Sequence, residues 1–173
     1  MQDKVKRFNE LVGQRLTLKP ITDSDYALYA SLYGDDNILR YISPALDSDS
    51  LHKSFTSAVK LSQQDTCKRS FLVAVLNETD EQTGILGLTV NQSIKQIEVG
   101  IIFLPEFQRQ NLAYEALQIL VTFLCNQYVE YKIIAEVNPQ NRAAVWLANR
   151  LGFRYNNVSA LFELEKQHKP LWG

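Results

Sequence analysis

The sequence predicts a single α/β domain, and three observations lead there. Its 173 residues, 46% of them hydrophobic, suffice for one packed core and are few for two. Strand-like apolar runs and segments with helical apolar spacing follow one another as strand, helices, three-strand meander, helix, strand, helix, strands. Between Val99 and Ala113 an apolar strand passes through Pro105 and a short polar loop into a long helix. Such a junction offers the unpaired N–H groups and positive dipole end of a helix to an anion.

Residues 15–20 alternate polar and apolar as a half-buried strand does, and Thr22-Asp23-Ser24-Asp25 is cap chemistry for a helix running to Tyr33 before Gly34. A second short helix is expected over residues 35–41, ending ahead of Pro44, and a third over about 48–63 after an acidic-serine run. Residues 71–76 and 85–90 read as a hairpin, and 97–104 extends it into a meander. Gly100 within the third run suggests a bulge or a close approach to the backbone. In the helix that follows, Ala113, Ala116, Leu117, Leu120, Leu124 and Tyr128 recur at spacings of three and four, a face made to pack on a sheet. Residues 131–137 form the next strand. Asn138-Pro139-Gln140-Asn141 opens a helix that carries Ala143, Ala144, Leu147, Ala148 and Leu151 and stops at Gly152, and two strands close the chain. With no repeat, low-complexity tract or linker, residues 1–173 are read as one domain.

Composition excludes several function classes. Lys plus Arg number 18 against 19 acidic residues, a net charge of -1, so no global basic field recruits nucleic acid or anionic lipid. No apolar h-region follows the N-terminus and no run approaches a membrane span. A cytoplasmic protein without nucleic-acid or membrane partners is expected. Cys67 and Cys125 have no metal spacing, and Cys125, inside an apolar run, reads as the buried inert thiol. His52 and His168 lack partners at metal or triad spacing, so no metal site is expected. Trp146 reads as helix packing. A nucleotide-binding loop of the GxGxxG or GxxxxGK[ST] type is absent.

The loop Gln108-Arg109-Gln110-Asn111-Leu112-Ala113, with Glu115-Ala116 after it, resembles the acetyl-CoA pyrophosphate loop of the GCN5-related N-acetyltransferases (GNAT), written Q/RxxGxG/A. Asn141, followed by Leu151-Gly152-Phe153, resembles the second signature of that superfamily, NxxSxxxxxxxGF. The opening strand with Asp25, the Glu98-Val99-Gly100 strand and the Asn-led helix are most similar to the branch that acetylates the N-termini of ribosomal proteins. The likeness spans about residues 14–165. It implies a GNAT fold of the α+β kind, a mixed and mostly antiparallel sheet of about seven strands with helices on both faces. The activity it implies is acetyl transfer from acetyl-CoA, the co-substrate, to a primary amine by direct attack in a ternary complex.

Carried onto this chain, the resemblance places the pantetheine and the polarised thioester carbonyl against the backbone of Ile101, Ile102, Phe103 and Leu104. It places the pyrophosphate on the amides of Gln108, Arg109, Gln110, Asn111, Leu112 and Ala113, with Arg109 adding charge, and the pantetheine arm on Asn141. Glu98 is the first choice of base, acting through water if need be, with Glu136 as the other candidate. Each residue also has a plainer reading: solvent-facing strand positions for the two glutamates, a solvated charge for Arg109, an N-cap for Asn141 and a dipole partner for Glu115.

Three departures stand out. Asn111 occupies the motif's glycine, and Asn is the non-glycine residue most tolerant of positive φ. Ala144 replaces the usual serine, and Ala148 the tyrosine that serves many relatives as general acid. The expected proton donors are therefore missing, although a thiol is acidic enough to leave as thiolate with water or the nearby helix dipole to stabilise it. A catalytically weak or inactive acyl-CoA-binding module and an acetyltransferase for small amines such as polyamines or antibiotics are the alternatives to an N-terminal acetyltransferase. The region from Tyr33 to Gln63, with Asp35, Asp36, Tyr41 and His52, should shape the acceptor pocket of a monomer or homodimer.

Overall fold

The computed structural model describes residues 4–165. One twisted sheet carries β1 (Leu11–Val12), β2 (Leu16–Pro20), β3 (Arg69–Leu76), β4 (Gln82–Asn91), β5 (Gln96–Phe103), β6 (Lys132–Ala135), β7 (Phe153–Asn156) and β8 (Leu161–Leu164). Its order is β1-β2-β3-β4-β5-β6-β8-β7, antiparallel throughout except for the parallel pair β5–β6. The eighth strand, against an expectation of seven, is β1, a two-residue hairpin partner of β2 too short to show a period of its own.

Strand alternation sends two cores to opposite faces. On one face, α1 (Tyr26–Tyr33) and α2 (Ser48–Ser62) lay Tyr29, Leu32 and Phe55 on Phe71, Val73 and Ile85. On the other, α3 (Leu112–Gln127) lays Ala116, Leu120 and Leu124 on Leu72, Leu86, Ile97 and Val99. The helix α4 (Arg142–Arg150) joins this second core through Ala148. The chain ahead of β1 also belongs to it: Val5 and Phe8 are buried, and Val5 O accepts from Cys67 N at 2.8 Å.

Four local expectations are corrected. The segment 35–41 is a closed loop of turns, not a helix. Asp35 caps a single turn by accepting from the amides of Asn37 and Ile38, and the chain then folds back so that Leu46 N meets Tyr33 O at 2.8 Å and Ala45 N meets Asp36 Oδ1 at 3.0 Å. A helix could not return in so few residues. Gly100 makes no bulge, since β4 and β5 stay in register from Asn91↔Gln96 to Gly84↔Phe103; the irregularity lies in β3 at Ala74/Val75. The buried thiol is Cys67, whose pKa burial pushes up to about 12, whereas Cys125 is half-buried. Trp146 is 58% exposed, and its ring carries an arginine described below. The expectation about His168 falls outside the described residues.

Candidate active site

The site begins where two parallel strands part. β5 and β6 pair from Gln96↔Lys132 to Glu98↔Ile134. Beyond that point β6 keeps only its other neighbour, β8, and ends ahead of Asn138-Pro139, while β5 stays on β4 as far as Phe103. The gap opens into a cleft of about 760 Å³ lined by both strands, by α4 and by the turns after α1.

Alternation along β5 decides which backbone groups face that gap. Leu104 N–H donates to Thr83 O at 2.9 Å, toward β4, and the Phe103 carbonyl accepts from Gln108 Nε2 at 3.0 Å on the opposite edge. Counting back by twos, Ile101 and Phe103 turn their N–H groups to the gap, and Ile102 turns with Leu104 toward β4. Of the four residues expected to meet a pantetheine arm, Ile101 and Phe103 have the matching orientation, and the Leu104 amide is already in use.

Past Phe103 the chain makes a 3-10 turn over Pro105–Phe107 and enters α3 through two left-handed residues, Arg109 and Asn111, both with φ of 60°. Asn111 thus adopts the conformation that a glycine would supply, which Asn tolerates best among the other residues. The Gln108 amide is consumed by Pro105 O at 3.2 Å. The run of amides from Arg109 to Tyr114 has no acceptor within the described residues, and the first bonded amide of the helix is that of Glu115, to Asn111 O at 3.1 Å. A phosphate-sized anion placed there would satisfy donors that the fold leaves open.

Two arginines hold this loop, each through partners too far along the chain for local spacing to reveal. Arg15 grips Glu115 twice, backbone N to Oε1 and Nε to Oε2, each at 2.7 Å, and donates Nη1 to Gln110 O at 3.2 Å. Glu115 is thus both the acidic residue of the first turn and a strut to the strand side. From the other side, Arg150 in the last turn of α4 donates Nη1 to Asn111 Oδ1 at 2.8 Å. Its guanidinium lies 4.1 Å from the ring centre of Tyr114 and 5.1 Å from that of Trp146. The residue that departs from the motif is therefore fastened by its side chain to a neighbouring helix.

On α4, Asn141 is an N-cap whose Oδ1 accepts from Ala144 N at 3.1 Å, and its side chain also lines the cleft. Ala144, Leu147 and Ala148 follow it there, so this wall offers no hydroxyl.

Across the gap, β3, β4 and β5 set Arg69, Thr89 and Glu98 in one row on the α1/α2 face, because Arg69 pairs with Thr89 and Thr89 with Glu98. The next row, Phe71, Gly87 and Gly100, bears no side chain on its last two members, and a Cβ on Gly100 would meet nothing within 4 Å. Burial raises the Glu98 pKa above the ordinary carboxylate range, the Glu136 charge raises it further, and Arg69 opposes both. Glu136 lies just past the end of β6 and lines the same cleft. Tyr33 and Tyr41 line the cleft, and burial keeps the Tyr33 hydroxyl protonated well above the usual phenol range. Asp35, Asp36 and His52 do not line it: the first two tie the turn loop, and His52 packs edge-on against Tyr26, 4.5 Å between ring centres.

The description "Acetyltransferase (GNAT) domain" matches residues 15–154, most of the chain. The chain belongs to the GNAT acetyltransferase family. An uncharacterized N-acetyltransferase of Bacillus licheniformis, p20, is 24% identical over 159 residues, 90% of this chain and 88% of that protein. RimL, a ribosomal-protein α-N-acetyltransferase in complex with coenzyme A, superposes with a TM-score of 0.74 at 18% identity, over 86% of each chain. Spermidine N-acetyltransferase from Vibrio cholerae, in complex with CoA and spermine, does so with a TM-score of 0.73 at 21% identity, over 84% of each chain. These two likenesses establish a shared GNAT fold.

Proposed function

We propose that this GNAT domain, the whole chain acting as one cytoplasmic unit, monomer or homodimer, transfers acetyl from acetyl-CoA to a primary amine, the amine being a protein or peptide N-terminus. The observation that carries this reading is the parting of β5 and β6 after Glu98, which puts a slot with outward-facing amides between an anion-ready loop and a half-buried carboxylate.

Acetyl-CoA, when bound, supplies a thioester already activated toward amines. The amides from Arg109 to Ala113 hold the pyrophosphate, with Arg109 adding charge, and Asn141 meets the pantetheine arm. The Ile101 and Phe103 N–H groups align the arm as an added strand and polarise the thioester carbonyl. Glu98 takes the proton of the incoming ammonium, directly or through one water, and its raised pKa makes it a better base than an exposed carboxylate. With alanines on the α4 wall, no side chain there would protonate the leaving group, which the low pKa of a thiol allows to depart as thiolate, and the second amine proton passes to water. The near-bare Gly87–Gly100 row beside Glu98 gives an amine room to reach the carbonyl.

The test is release of CoA thiol from acetyl-CoA with three acceptors: a short peptide with a free N-terminus, the same peptide N-terminally blocked and lacking lysine, and spermidine. The proposal predicts thiol release with the free peptide, none with the blocked one, and a lower kcat/KM for spermidine. A marked preference for spermidine would assign the enzyme to small amines, and no release with any amine would leave an acyl-CoA-binding module.

A further inference from the structure

Among the described residues, the charged side chains that line the cleft are Arg69, Glu98 and Glu136. None of the three forms an ion pair or a side-chain hydrogen bond, although ion pairs and side-chain bonds secure the loop beside them. Their arrangement is not scattered. Glu98 and Glu136 stand together at the parting of β5 and β6, and Arg69 begins β3 in the same cross-strand row as Glu98, with Thr89 between them. Two strand spacings separate the Arg69 and Glu98 backbones by about 10 Å. The guanidinium lies 5.0 Å from the ring centre of Phe71, which ranges it along the floor of the cleft, and its field reaches Tyr33 and Glu98. The cleft is thus dipolar, negative where the amine must react and positive at the strand two places over.

We infer that Arg69 is a specificity-determining residue, and that the acceptor carries an anionic group, carboxylate or phosphate, about two residues along from its reacting amine. This rests on the acetyl-transfer reading above and names the substrate class within it. An acceptor with its amine at Glu98 lays its next 7 Å or so of extended chain over the Gly87–Gly100 row. A side chain from its second or third residue then falls within reach of Arg69. A second ammonium at the same distance, as in a linear polyamine, meets a like charge. A cation already ion-paired within the protein would exert no such choice, and among the described residues no carboxylate pairs with Arg69.

The test uses the full chain, acetyl-CoA and two peptides of equal length with the same free N-terminal serine, one with glutamates and one with lysines at positions two and three. Wild type is expected to favour the acidic peptide in kcat/KM by about fivefold, the scale of one partly solvated charge pair. Arg69→Gln should flatten the preference and Arg69→Glu should invert it, the ratio of kcat/KM for the two peptides being read on the pH plateau above the Glu98 limb, and salt should shrink the wild-type preference. Because Arg69 is exposed, both variants should fold as wild type does, which thermal unfolding checks. Equal use of both peptides by wild type, or a preference that survives Arg69→Glu, overturns the inference while leaving acetyl transfer in place. No thiol release with either peptide overturns the peptide-acceptor reading on which the inference rests.

Discussion

Glu98→Gln is expected to lower kcat by about 10²- to 10³-fold while leaving the dissociation constant of acetyl-CoA nearly unchanged. Removing a positioned general base costs that much, and the side chain is three residues away from Ile101, the nearest backbone assigned to the co-substrate. The pH profile carries the sharper test. A base works only when deprotonated, and burial together with Glu136 holds the Glu98 proton to higher pH than an ordinary carboxylate, so the acidic limb of kcat/KM should lie above the usual carboxylate range. Glu136→Gln removes a charge that raises this pKa and should move the limb to lower pH. Arg69→Gln removes the opposing charge and should move it higher. A limb that ignores both substitutions would take Glu98 out of the mechanism. The folded state is expected to survive Glu98→Gln: a carboxyl whose folded pKa is raised favours the fold at low pH and loses that contribution as pH rises through the folded value. The amide should therefore match wild-type stability at low pH and equal or exceed it at neutral pH.

The second large effect lies on the loop. Arg150→Met should weaken acetyl-CoA binding by about tenfold, because it frees Asn111 to leave the left-handed conformation that aims the amides from Arg109 to Tyr114. If the arginine works by holding Asn111, its loss should matter far less once glycine supplies that conformation unaided. Asn111→Gly alone should bind acetyl-CoA about as well as wild type, and Arg150→Met added to it should cost little, a coupling on the order of 1 kcal/mol across the double-mutant cycle. Arg150→Lys keeps the charge and loses the planar fork that reaches Asn111 Oδ1 while lying on Tyr114, so it should behave more like methionine than like arginine. Additive losses with a rescue by lysine would show instead that Arg150 acts as a bare charge.

What the chain made legible follows from the range of the signals in it. The elements could be placed from periodicities of two and of three to four residues, and Asn111 at positive φ could be anticipated from the tolerance of its own side chain. The turn loop after Tyr33 is not legible because its structure depends on Asp36 and Leu46 bonding back across the loop, contacts that no local propensity encodes. The arginines on the loop before α3 are hidden for a similar reason: Arg150 meets Asn111 across 39 residues and Arg15 meets Glu115 across 100. Arg69 was hidden by register. Only the pairing Arg69–Thr89–Glu98 brings it into the row of the candidate base, and register depends on turn lengths and on which face is buried. Leu104 illustrates the same limit at the scale of one amide, since the residue is in the expected strand end and its N–H points the wrong way.

The loop before α3, with Asn111 where the motif has glycine, is proposed to hold the pyrophosphate of acetyl-CoA. Thermal unfolding of the protein alone, with acetyl-CoA and with NADPH as an anionic control tests it most directly. A ligand at about a hundred times its dissociation constant stabilises by roughly 2.7 kcal/mol. For a domain of this size that raises Tm by roughly 5 to 10 °C. That rise is expected with acetyl-CoA and none with NADPH. No rise with acetyl-CoA, or the same rise with both, would contradict it.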